Sequence, residues 1–150
     1  LTIDEYLNQP RDLKRRRDQL NEELKQLETM VTSPRDSLNI ADGLPGKSNG
    51  NAHETRLLKY IDTGRKFSAV NKQYKKACED LHRAIDNLLY WQGSLILQVY
   101  YYNAYYGIDD NLQGADEILH TRSRGAIIAK LTESKTALAN LLRAQGVEID

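Results

Sequence analysis

The sequence holds a single cysteine, Cys78, among its 150 residues. One thiol excludes a disulfide framework within the chain and any cysteine-based zinc site. It fits a reducing cytoplasm. Histidine is equally sparse. His53, His82 and His120 stand far apart, with no H-E-x-x-H or Cys/His spacing, so no metal ligand is nominated. Long hydrophobic runs are missing too. The apolar stretch from Leu95 to Val99 is far too short to span a membrane, and the first residues are polar and charged, unlike a signal peptide. Charge of one sign does not dominate: 21 Lys and Arg face 21 Asp and Glu, so net charge predicts no partner. A phosphate-cradling loop is also lacking. Gly43-Leu44-Pro45-Gly46-Lys47-Ser48 contains Gly-Lys-Ser but not the first glycine at the required spacing, nor an apolar strand before it. Asp109-Asp110 and Asp116-Glu117 are paired acids in polar segments, and no nucleophile–base pair stands out. These absences point away from an enzyme, and neither a catalytic residue nor a cofactor is expected.

What the chain does have is helical periodicity. Phe67, Val70, Tyr74, Ala77, Leu81, Ala84 or Ile85, and Leu88 recur in steps of three and four, the seam of a long amphipathic helix. Asn51 with Glu54 can cap its start, and Leu57, Leu58 and Ile61 begin its apolar face. Unbroken over residues 52–90 of an expected segment 52–92, with its stripe reaching Leu89, it would be about 58 Å long. A seam of that length needs the N-terminal helix, a second chain, or both. Leu81 and Leu88 are therefore expected at a dimer interface.

Residues 1–31 form a shorter amphipathic helix. Thr2 and Glu5 read as a capping box, and Leu13, Leu20 and Leu27 repeat every seven residues, flanked by Leu24 and Val31. Pro10 either splits off the first turn or kinks the helix. Arg17 on the seam weakens an extended zipper. Residues 32–51, with Pro34, Gly43, Pro45, Gly46 and Gly50, have linker composition, long enough for an antiparallel return.

The C-terminal unit spans residues 93–146. Gly93-Ser94 reads as a stop followed by a cap. Tyr100, Tyr101, Tyr102, Tyr105 and Tyr106 then wrap a helix and cannot all face one core. Tyr101 and Tyr105 are expected in an interface, and Trp91 as a packing anchor. Residues 107–114 read as a polar, acidic loop. Ala115–Leu119 forms a short helix, and a turn capped by Thr121 or Ser123 follows. The last helix buries Ile127, Ile128, Leu131, Leu138, Leu141 and Leu142, and Gly146 stops it.

Short helix, tight turn and longer helix with arginines at its start make a helix-turn-helix pattern. Thr121, Arg122, Ser123, Arg124 and Lys130 are the candidate DNA-binding residues, with Gly125 and Ala126 allowing close approach. Arginines there can reach phosphates or guanine edges. Residues 56–83 carry eight basic against three acidic side chains, and residues 114–143 carry five against three, patches that fit nucleic acid and equally an ordinary solvated helix face.

The order of parts resembles the ArpU/RinA-type phage regulators of late gene transcription, small proteins with a sigma-factor region-4-like helix-turn-helix. Glu5-Tyr6-Leu7-Asn8-Gln9 resembles their short opening helix. The Ser/Gly-rich break, the long helix from Leu57 to Leu89, the Leu95–Tyr102 helix and Ala115–Leu142 follow in the same order. Val99-Tyr100-Tyr101-Tyr102 departs from the family, which carries an arginine before the tyrosine. The resemblance implies a dimeric regulator of a phage or mobile element, acting on double-stranded DNA in the cytoplasm of a bacterial host. The alternative is a non-enzymatic coiled-coil adaptor, or a packaging or capsid-assembly factor. Such a protein would bind a phage or host protein through its tyrosines. In either case the expected fold is all-α: an antiparallel coiled pair of N-terminal and central helices, then the helix-turn-helix-like unit.

Overall fold

The computed structural model describes residues 1–32, 47–102, 104–105 and 107–150. The expected linker between Thr32 and Lys47, its prolines, and Tyr106 of the tyrosine cluster lie outside the described residues. The protein is all-α, with no strand among the described residues. Helix α1 runs Ile3–Thr32 and α2 runs Lys47–Ile85. Helix α3 runs Tyr90–Ile96 and passes into a π-helical turn, Leu97–Tyr101. Helix α4 is Ile108–Asn111, a 3-10 turn follows at Leu112–Gly114, α5 is Ala115–Leu119, and α6 is Arg124–Ala144.

The α1 capping box forms as the sequence predicts. The Thr2 N–H donates to Glu5 Oε2 at 2.7 Å, and the Glu5 N–H donates to Thr2 Oγ1 at 3.1 Å. Pro10 does not split the helix, which continues through it. The start of α2 lies upstream of the expected cap: the helix is already formed at Lys47, and Asn51 sits inside it.

The chain divides into two compact units, one of residues 16–72 and one of residues 1–15 with 73–150. In the first, Leu20, Leu27 and Thr63 are buried, and Gly64 comes close to Leu24. Leu57, Leu58 and Ile61, on the apolar face that the seam predicts, remain exposed.

The second unit holds the larger core. Leu7 from α1, Leu81 and Ile85 from α2, Leu95 and Ile96 from α3, and Leu131 and Leu138 from α6 are all buried there. Within it α1 and α2 run antiparallel: Tyr6 lines a cleft with Asp80 and Ala84, and Leu13 lines another with Gln73 and Ala77. Leu81 is 1% exposed and Leu88 is half-buried against the same core. Leu81, expected at a dimer interface, is thus closed off inside the chain's own core, and Leu88 packs against that core.

The boundary between α2 and α3 differs from expectation. The stop expected at Gly93 falls earlier, at Ile85. There the Leu88 N–H returns to the Ile85 carbonyl at 2.9 Å, and Asn87 Nδ2 donates to the Arg83 carbonyl at 3.1 Å. Gly93 lies inside α3 because a Cβ there would stand 2.5 Å from Ile85 Cγ2. It is a close-packing glycine, not a terminator.

Of the segment expected as a loop, residues 107–114, all but Gly107 is helical, with Asn111 and Leu112 buried. Asn111 Nδ2 donates to the Val99 carbonyl at 2.9 Å, which anchors α4 to the π-helical turn. In that turn the Tyr102 N–H reaches back five residues to the Leu97 carbonyl at 3.0 Å. Ile128 is another departure. It lies off the buried stripe of Ile127, Leu131, Ser134, Leu138 and Leu142, and is 42% exposed. Gly146 ends the last helical segment with a φ of +86°, as its expected role as a stop requires.

Candidate nucleic-acid interface

The turn between α5 and α6 is built by its own polar side chains. His120 closes α5 in the left-handed conformation, with a φ of 53°. A histidine there carries a modest strain that a glycine would lack. The Thr121 N–H then bonds the Asp116 carbonyl at 3.3 Å. Thr121 Oγ1 accepts from the Ser123 N–H at 3.2 Å, and Ser123 Oγ accepts from the Ala126 N–H at 3.3 Å. Ser123 is therefore the N-cap of α6, one of the two residues the sequence allowed. Both hydroxyls hold the turn in shape, and the side chains of Arg122 and Arg124 beside them are exposed.

Arg122, Ser123, Arg124, Gly125 and Ala126 all face solvent. Nothing lies within 4 Å of where a Cβ on Gly125 would be, so a flat or convex partner can approach the backbone there. Arg122 and Arg124 line one cleft of about 380 Å³, with Asp109 and Asp116 on its walls and Leu112 and Ile127 at its base. Arg124 Nη2 bonds Asp109 Oδ1 at 2.8 Å, with both side chains largely exposed. Arg122 makes no ion pair among the described residues.

Lys130 does not join this cluster. Its ammonium pairs with Glu133 at 3.3 Å and sits 5.2 Å from the Trp91 ring centroid. Trp91 is half-buried against the core, so it is the anchor expected of it, and Lys130 covers its outer face. The structure thus brings Thr121, Arg122, Ser123 and Arg124 together and leaves Lys130 on a neighbouring surface. Asp109 is a residue the sequence could not connect with Arg124, because only folding of residues 108–111 into α4 makes them meet.

The tyrosines separate by environment. Tyr100 is buried, and its hydroxyl donates to Asp4 Oδ1 at 3.2 Å. Lys135 Nζ donates to the same oxygen at 2.9 Å. Burial pushes the Tyr100 pKa up, an effect that nearby Lys135 opposes and Asp4 reinforces. Tyr101 is half-buried and meets His82 edge-on, with centroids 4.9 Å apart. Burial raises its pKa as well, with Cys78 adding to the effect. Tyr102 and Tyr105 are 63% and 60% exposed. Of the two tyrosines expected at an interface, Tyr105 is on the surface and Tyr101 belongs largely to the fold.

Among the described residues no group of three His, Cys, Asp or Glu side chains is placed to hold a metal ion. No described helix is long and apolar enough to cross a membrane. No known protein family, curated protein or solved structure matches the chain.

Proposed function

We propose that the chain is a non-catalytic, DNA-binding transcription regulator of a bacteriophage or mobile element, acting as a dimer in the cytoplasm of a bacterial host. The observation that carries this reading is the exposed start of α6. A 21-residue helix emerges from a short turn with Arg122, Ser123, Arg124, Gly125 and Ala126 all facing solvent. A helix presented in this way fits the major groove, with the arginines reaching phosphates and base edges. Mixed charge in the cleft does not count against the reading, because exposed ion pairs contribute only about 0–1 kcal/mol and exchange readily for phosphate. The exposed apolar residues Leu57, Leu58 and Ile61 on α2 support pairing with a second copy.

The test is duplex binding across roughly 50–200 mM salt, with DNA from upstream of the gene and with random DNA. Arg122→Ala with Arg124→Ala is expected to weaken binding and lower the salt slope by about 2. Unchanged binding at fixed salt would remove these residues from the interface.

One observation favours a second reading, an adaptor that binds a phage or host protein. Tyr102 and Tyr105 expose large aromatic surface beside the core. This reading expects no salt-dependent DNA affinity. It also expects Tyr105→Ala to abolish partner capture while leaving the helical circular-dichroism signal intact.

A further inference from the structure

The strongest unexplained contact in the cleft is the 2.8 Å pair between Arg124 and Asp109. It joins two helices fifteen residues apart in sequence, and both side chains are more than two-thirds exposed. Asp109 stands beside an arginine that the preceding reading aims at DNA, and Asp116 lines the same cleft on the Arg122 side. A carboxylate held 2.8 Å from a guanidinium occupies the position that a phosphate oxygen would take. We infer that Asp109 is an intramolecular competitor for the DNA backbone. It holds Arg124 in the free protein and must be displaced before Arg124 can contact phosphate. This inference rests on the DNA-binding reading and names the residue that limits its affinity.

The physical consequence falls on affinity. Every duplex that draws a phosphate to Arg124 must first displace Asp109, so the competitor lowers affinity by about the same factor on all of them. The neighbouring Asp110 supplies the control. It carries the same charge one position along α4, and Arg124 pairs with Asp109 instead.

The experiment measures duplex affinity at fixed salt for the wild type, Asp109→Asn, Asp110→Asn, Arg124→Ala and the Asp109→Asn/Arg124→Ala double variant. Asp109→Asn is expected to tighten binding about three- to fivefold, the upper part of the range an exposed ion pair covers. Asp110→Asn should change it less. The gain from Asp109→Asn should vanish in the Arg124→Ala background, because the competitor then has nothing to hold. Equal gains from Asp109→Asn and Asp110→Asn would overturn the inference, since removal of any acid would then suffice. So would a gain that survives in the Arg124→Ala background. If the wild type and every variant fail to bind duplex even at about 50 mM salt, the DNA-binding reading falls, and this inference falls with it. If the wild type binds and Asp109→Asn binds no better, only the competitor role is lost.

Discussion

The Arg11 guanidinium donates through Nη1 to the Val99 carbonyl at 3.1 Å, across 88 positions of sequence. The same carbonyl accepts Asn111 Nδ2 at 2.9 Å. One backbone oxygen in the π-helical turn therefore holds α1 and α4 against α3. Arg11 is 4% exposed, and burial lowers its pKa, with the nearby Arg15 charge adding to the effect. A buried cation is costly unless it is well bonded. Arg11→Met is expected to lower stability by about 2 kcal/mol, as loss of a charged hydrogen bond does. Arg11→Met and Asn111→Ala together should cost more than the sum of the single changes, because only the double variant removes both of these donors from the carbonyl. Urea unfolding of the four proteins measures the coupling. Strict additivity would show that the shared acceptor carries no energy of its own.

Gly93→Ala should destabilise the protein by about 1–3 kcal/mol, because the added methyl meets Ile85 Cγ2 in a packed core. Ile85→Ala removes the opposing carbon. The double variant should therefore melt higher than the two single losses imply. Thermal unfolding of all three gives the comparison.

The cluster of Asp4, Tyr100 and Lys135 makes stability sensitive to alkaline pH. Burial lowers the Lys135 pKa, but the bonds to Asp4 and Tyr100 outweigh it, and the net shift is upward from 10.5. Tyr100 is also raised, from 10.0, chiefly by burial. Both shifts have the same sign. Their stabilisation is complete below the ordinary pKa values and is lost as pH rises through the raised ones. Urea midpoints should hold steady from neutral pH to about pH 10 and then fall. Lys135→Met should be less stable at neutral pH and lose less on further alkalinisation. An equal alkaline loss in that variant would show that Lys135 is not among the responsible groups.

Lys130 offers a contrast with the arginines. Its charge is engaged by Glu133 and the Trp91 ring. Lys130→Ala should leave the salt slope of duplex binding unchanged, whereas Arg122→Ala lowers it by about 0.9. A slope change for Lys130→Ala would place DNA over α6 on the Trp91 side as well.

Ser123→Ala removes the cap of α6 and should cost about 1 kcal/mol, with Ser123→Gly costing only a few tenths. The ranking, read from denaturant midpoints, separates a capping role from a base-reading one. Loss of DNA affinity beyond what the fold loses would indicate that the hydroxyl also touches DNA.

Much of this architecture was legible where local chemistry decides the outcome. The Thr2–Glu5 capping box, the helix Ala115–Leu119, the Ser123 cap and the Gly146 stop each depend on a few adjacent residues, and each can be read from spacing. Gly93 could not. In sequence a glycine that ends a helix and one that admits a neighbouring isoleucine look alike, and only the approach of Ile85 tells them apart. The end of α2 at Ile85 carries no Gly or Pro to mark it. The helical folding of residues 108–114 depends on Asn111 finding the Val99 carbonyl, a long-range bond with no periodic signature. Leu81 and Leu88 were correctly placed on an apolar seam, but periodicity does not say what covers a seam. In the candidate site, the cluster of Arg122, Ser123 and Arg124 was legible from the turn pattern. Its pairing with Asp109 was not.

The division of the chain has a consequence for how it is made. Residues 16–72 are one contiguous stretch, but the larger unit joins residues 1–15 to residues 73–150. On the ribosome, Leu7 and Arg11 emerge well before Leu81, Val99 and Leu138, their eventual neighbours in that unit. At roughly 5–20 residues per second that wait lasts several seconds or more. The opening segment must stay unpartnered over that interval, while the internal stretch is fully emerged once Lys72 has left the ribosome. Translation that stalls before Leu138 would leave the amphipathic start of α1 without its core, exposed to chaperones and proteases.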